Sequence, residues 1–181
     1  AKGEVLISVT KTKVNNQKAA YINSSVLIPA TRAEIWTVFT DCARAPSYVN
    51  GLVSCEVLEQ AKDKIWDIRR HINKPAPLLP KMKSEFRAQY TYPTRVTFRG
   101  IGGDLDHNTG SWDLSDMPNN KTPKIKGTIV TYRATIASQT VFPDRMIRKT
   151  LRKNIPQVLR ALRTEVMNDK QQTPSQPKPR Q

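Results

Sequence analysis

From Leu52 to Ser138 the chain reads as one strand after another, and a single long helix pattern follows. The strand segments are "LVSCEVLEQ", "KIWDIRRHI", "KMKSEFRAQYTY", "TRVTFRGIG", "GSWDLSDM" and "KIKGTIVTYRATIAS". Each alternates with the two-residue period of a pleated sheet, and short turn-rich connectors such as "AKD", "PT" and "PNNKTP" make neighbours antiparallel. From Asp144 to Met167 the period changes: Ile147, Leu151, Ile155, Val158, Leu159, Leu162 and Val166 recur at steps of three and four. Pro156 falls inside this pattern and predicts a kink. A long helix with one apolar stripe, following a curved antiparallel sheet, buries that stripe by lying in the concave face. The fold class is therefore α+β, and the space between sheet and helix need not be filled by side chains.

The N-terminal part fits the same plan. "VLISVTKTKV" and "AAYINSSVLI" flank the turn "NNQ" and read as a hairpin over residues 5–28. Thr31 and Glu34 then form a capping box ahead of a helix that buries Ile35, Trp36, Val38 and Phe39. "APSYVNG" reads as a second, short helical turn ending at Gly51. Residues 1–168 form one domain on this reading, and the polar, Pro-rich residues 169–181 form a disordered tail.

The stretch Gly100 to Leu114, "GIGGDLDHNTGSWDL", gathers glycines, three aspartates and His107. A phosphate loop needs a helix after the glycines, and here a strand follows. The aspartates and His107 match no established ligand spacing. The stretch is read as a hairpin turn, with Gly110 opening the next strand. No metal site, cofactor or nucleophile–base pair is predicted anywhere in the chain. No run approaches the roughly 18 apolar residues of a membrane-spanning helix. The net charge of +15 points to an anionic partner: nucleic acid, a lipid surface or another acidic molecule. Cys42 and Cys55 either bridge or stay as two buried thiols.

Four segments, in order, resemble a known family: "VLIPATRAEIWTVFTDCARAPSYVNGL", "GGDLDHNTGSWDL", "GTIVTYRATI" and "MIRKTLRKNIPQVLRALRTEV". Together they look like the START-like superfamily (SRPBCC), in its polyketide cyclase and coenzyme-Q-binding branch. The resemblance covers about Val5 to Val166. It implies a helix-grip fold whose internal apolar cavity holds a lipid, sterol, isoprenoid quinone or polyketide. The N-terminal hairpin resembles that of exported bacterial members. That implies a periplasmic or otherwise exported protein with a Cys42–Cys55 bridge, Ala1 following a removed signal peptide; the alternative is a cytoplasmic one.

With that fold, the inward positions become candidate ligand contacts. They are Phe86 and Tyr90, Phe98, Trp112, Val130 and Tyr132 on strands, and Ile147, Leu151 and Ile155 on the final helix. Tyr90, Trp112 and Tyr132 add a polar tip to an apolar body. Tyr92 is placed on the same face as Tyr90. Asp67, Arg69 and His71 share a strand face expected to be solvated, with Trp66, Ile68, Arg70 and Ile72 behind it. The basic residues Arg145, Arg148, Lys149, Arg152 and Lys153 suit a docking face for an anionic membrane. The expected function is binding, and carrying, a hydrophobic small molecule as a monomer. The alternatives are a cyclase or dehydratase using His71 or Arg70, and an RNA or ribosome binder. Nucleic acid is the weaker partner, because the aromatic residues fall on apolar strand faces rather than among the cations.

Overall fold

A computed structural model of the chain describes residues 3–74, 80–117, 127–137 and 143–172. Strands β1 (Val5–Val14) and β2 (Gln17–Ile28) form the hairpin, turning at Asn15 and Asn16, both with positive φ. Helices α1 (Arg32–Thr40) and α2 (Ala45–Tyr48) follow. Then come β3 (Leu52–Gln60), β4 (Trp66–Asn73), β5 (Met82–Thr91), β6 (Arg95–Gly103), β7 (His107–Asp116) and β8 (Thr128–Ala137). Helix α3 (Asp144–Gln172) ends the described chain. The strands make one antiparallel sheet in the order β1-β2-β8-β7-β6-β5-β4-β3. This is an α+β helix-grip fold, a curved sheet holding α3.

Local chemistry explains the element ends. Thr31 Oγ1 accepts from the Glu34 amide at 3.3 Å, while Glu34 Oε2 accepts from the Thr31 amide at 2.6 Å, so the capping box opens α1. Helix α3 runs unbroken through Pro156 and on to Gln172. Residues Asp169–Gln172, expected in a tail, are thus its last turn. Asp169 is held there by Arg44 at 3.0 Å and Lys170 by Glu34 at 3.4 Å. Residues 173–181 lie outside the described residues.

The glycine-rich stretch is a hairpin turn, shorter than its sequence suggested. Strand β6 runs through Gly103, whose φ is +100°, and β7 already starts at His107. Asp104 closes the turn against β5: its carboxylate accepts from the Lys83 amide at 2.7 Å, and its own amide donates to the Lys83 carbonyl at 2.8 Å. Gly110 lies inside β7 rather than at its start. A Cβ there would meet the Phe98 ring at 2.6 Å, so glycine lets that ring lie against the strand.

Two apolar clusters hold the layers together. Near the C-terminal half of α3, Leu159, Leu162 and Val166 pack with Ile28, Ile35, Val38, Leu114 and Val130. Val9, Ile22, Tyr132, Ala134 and Ile136 form the second, with Leu151 and Ile155 of α3 against it. Among the described residues no helix is long and apolar enough to cross a membrane.

Candidate functional site

Between the concave sheet and the first half of α3 lies a cavity of about 390 Å³. Strands β5 to β8 supply Phe86, Tyr90, Phe98, Trp112 and Tyr132, and α3 supplies Ile147, Leu151 and Ile155. Of the nine candidate ligand contacts named from the sequence, all but Val130 line it. That residue is fully buried one pair further along β8, in the cluster with Val26, Leu114 and Leu159, where α3 already touches the sheet. Tyr92 is also displaced from expectation. It lies past the end of β5, 67% exposed, and packs edge-on to Trp36 at 5.5 Å.

The aromatic side chains form a continuous wall. Phe98 stacks parallel to Tyr132 at 6.1 Å, Tyr132 meets Trp112 at 4.5 Å, and Trp112 meets Phe39 of α1 at 4.9 Å. Burial pushes the Tyr132 phenol far up, so it stays protonated.

Set into this apolar wall is a polar cluster that the sequence reading put on the wrong side. Asp67, fully buried, accepts from Arg69 Nε at 2.9 and 3.1 Å and from the Tyr90 hydroxyl at 2.8 Å. Arg69 also donates through Nη2 to the Thr40 carbonyl at 2.9 Å, and both Arg69 and His71 line the cavity. His71 stands edge-on to Phe86 at 4.8 Å, with Nε2 3.2 Å from Cys55 Sγ. Burial, assisted by the Arg69 cation, drops its pKa to about 4, so the imidazole is neutral at neutral pH.

The face of β4 expected to be solvated is therefore the inner one. Its register explains why: Asp67, Arg69 and His71 sit opposite Ala88, Phe86 and Ser84, the inward residues of β5. Arg70 points outward, to Glu85 at 2.8 Å and Glu56 at 3.2 Å, and so is no cavity residue. On that outer face the Arg87 guanidinium covers Trp66 at 4.1 Å.

One wall of the cavity is stapled. Cys42 and Cys55 form a disulfide with Cα atoms 5.4 Å apart. The segment between them contributes Ala45, Tyr48, Val49, Asn50, Gly51 and Leu52 to the lining. The expected docking cations partly converge: Arg145, Arg148, Lys149 and Arg152 line a second depression, of about 440 Å³, together with Lys11 of β1. Lys153 is exposed but lies off it. Arg152 also donates to the Val9 carbonyl at 2.8 Å. Among the described residues no three of His, Cys, Asp and Glu come together as a metal site.

A curved sheet that grips one helix over an apolar, aromatic-walled cavity defines the START-like class. The profile of the family "polyketide cyclase / dehydrase and lipid transport" matches residues 28–163, and the chain belongs to that family. Solved structures share the fold. A STAR-related lipid transfer protein from Xanthomonas axonopodis superposes with a TM-score of 0.71 at 15% identity, covering 92% of this chain and 99% of that one. The Zhui aromatase/cyclase from Streptomyces sp. R1128 gives 0.68 at 13% identity, with coverages of 87% and 98%. A protein from Thermus thermophilus gives 0.68 at 18% identity, with coverages of 82% and 98%. Among curated proteins no sequence relative matches.

Proposed function

We propose that the protein binds an amphiphilic small molecule of lipid or isoprenoid type in this cavity and carries it. The observation that supports this best is the pairing of an aromatic and aliphatic wall with one buried ion pair, Asp67–Arg69. Apolar pockets bind by area, and a few placed polar groups fix orientation. The Arg69 guanidinium offers N–H donors to a ligand oxygen, and its charge is already balanced by Asp67. A neutral or singly charged head with an acceptor oxygen suits that end, and the hydrocarbon part suits Phe86, Phe98 and Leu151. The named lipid transfer protein among the fold's neighbours supports the same reading. An exported location goes with it, since disulfides such as Cys42–Cys55 persist in oxidising compartments.

The cyclase-type reading finds less support. A general base works best with a pKa near the working pH, and His71 at about 4 is far below it.

Native mass spectrometry of the purified protein, followed by solvent extraction, tests the proposal. The expected result is an adduct of lipid or quinone mass that Leu151→Trp, which fills the cavity, abolishes while the fold is kept. A protein that carries no adduct and does not take up the apolar dye N-phenyl-1-naphthylamine sinks the idea.

A further inference from the structure

The sheet register places the basic depression level with one end of the cavity. Lys11 pairs with Ala20, Ala20 with Ile136, and Ile136 with Asn108, so all four lie at one level across the sheet. Ile136 and Asn108 line the cavity, whereas Lys11 lines the depression. The first two turns of α3 join the two sites. Arg145, Arg148, Lys149 and Arg152, at steps of three and four, form one stripe facing β1. Met146, Ile147 and Leu151 on the same turns line the cavity, and Met146 is 37% exposed beside Arg145. Among the described residues no acidic side chain lines the depression. Asp144 opens α3 at this end, whereas Glu34, Glu165 and Asp169 lie at the other end, each in an ion pair.

From this placement we infer that the Lys11/α3 depression is a docking surface for an anionic phospholipid bilayer, and that it sets the Ile136/Met146 end of the cavity against the membrane. The inference rests on the cavity being a ligand site. The complementarity is one of charge: five cations from two elements converge on one concavity, and phosphodiester head groups carry the matching charge. Lys and Arg near an anionic leaflet attract it additively, and the effect fades with salt. Met146 adds an apolar contact between head-group level and the cavity. A bilayer suits this end better than a nucleic acid because, among the described residues, Phe86, Phe98 and Tyr132 face into the cavity and offer bases no stacking platform there.

The test uses the full chain, co-sedimented with vesicles of phosphatidylcholine alone or mixed with phosphatidylglycerol. Binding is expected only to the mixed vesicles, weakening as salt rises. The double variant Arg145→Glu/Lys149→Glu should lose about tenfold or more in vesicle affinity, because it reverses two charges at the surface. Lys62→Glu/Lys64→Glu, with the same net charge but placed in the turn between β3 and β4 at the far end of the sheet, should bind nearly as the wild type. Three results overturn the inference: no binding to anionic vesicles, equal loss in both double variants, or tighter binding of a single-stranded oligonucleotide through Arg145 and Lys149. Uptake of N-phenyl-1-naphthylamine in free solution, measured on each variant, reads the cavity alone. Failure of docking with dye uptake intact therefore leaves the proposed ligand site standing, and loss of dye uptake in the wild type strikes that reading instead.

Discussion

At His71, burial and the Arg69 cation both disfavour the proton, so the folded chain holds it less tightly than the unfolded one. Between pH 6.5 and about 4 the unfolded state therefore binds more protons, and stability falls as the pH is lowered through that window. The loss should total about 3 kcal/mol and level off below the folded pKa. Chemical unfolding at stepped pH, comparing wild type with His71→Phe, should show a smaller acid loss in the variant; parallel curves would contradict it. Arg69 has the opposite duty of balancing a carboxylate with no solvent access. Arg69→Met should destabilise by about 3–5 kcal/mol, because it leaves a buried charge uncompensated. Asp67→Asn/Arg69→Met should recover part of that loss, and denaturant midpoints compare the two. Neither role was legible in the sequence, and the reason is parity. On β4 alone, Trp66, Ile68 and Ile72 look like the core face. The decisive information is which residues of β5 they oppose, and Gln89, Arg87 and Lys83 are outward ones. A one-residue change of register inverts a strand, and no pattern within β4 reports its register.

Among the elements, what local rules govern was readable and what tertiary contacts govern was not. The Asn15–Asn16 turn, the Thr31–Glu34 box and the α3 stripe each follow from residues within a few positions of one another. Thr31→Ala should cost about 1 kcal/mol in thermal or chemical unfolding. The early start of β7 at His107 and the late end of α3 at Gln172 depend on partners far along the chain: Ala137 for the first, Arg44 and Glu34 for the second. The Cys42–Cys55 staple closes a span of 13 residues. Removing it with Cys42→Ser/Cys55→Ser should lower stability by about 3 kcal/mol in the chain-entropy account. A variant as stable as the wild type would mean that the α1–β3 segment is ordered without its bridge.

For the molecule as a whole, the gripping architecture followed from six strand patterns and one helix, and the aromatic lining positions of β5 to β8 followed from alternation. The cavity itself was expected from the family resemblance rather than from these patterns, because an empty volume is a property of distances between layers. The stapled segment has one more consequence. Six residues of the cavity wall lie between the two cysteines, so an occupant and a thiol reagent act on the same stretch of chain. A bound ligand that braces Tyr48, Val49 and Leu52 should slow exposure of the sulfurs to a dithiol. The rate at which Cys42 and Cys55 become alkylatable then serves as a built-in gauge of how full the protein is, and it should fall as the ligand concentration rises.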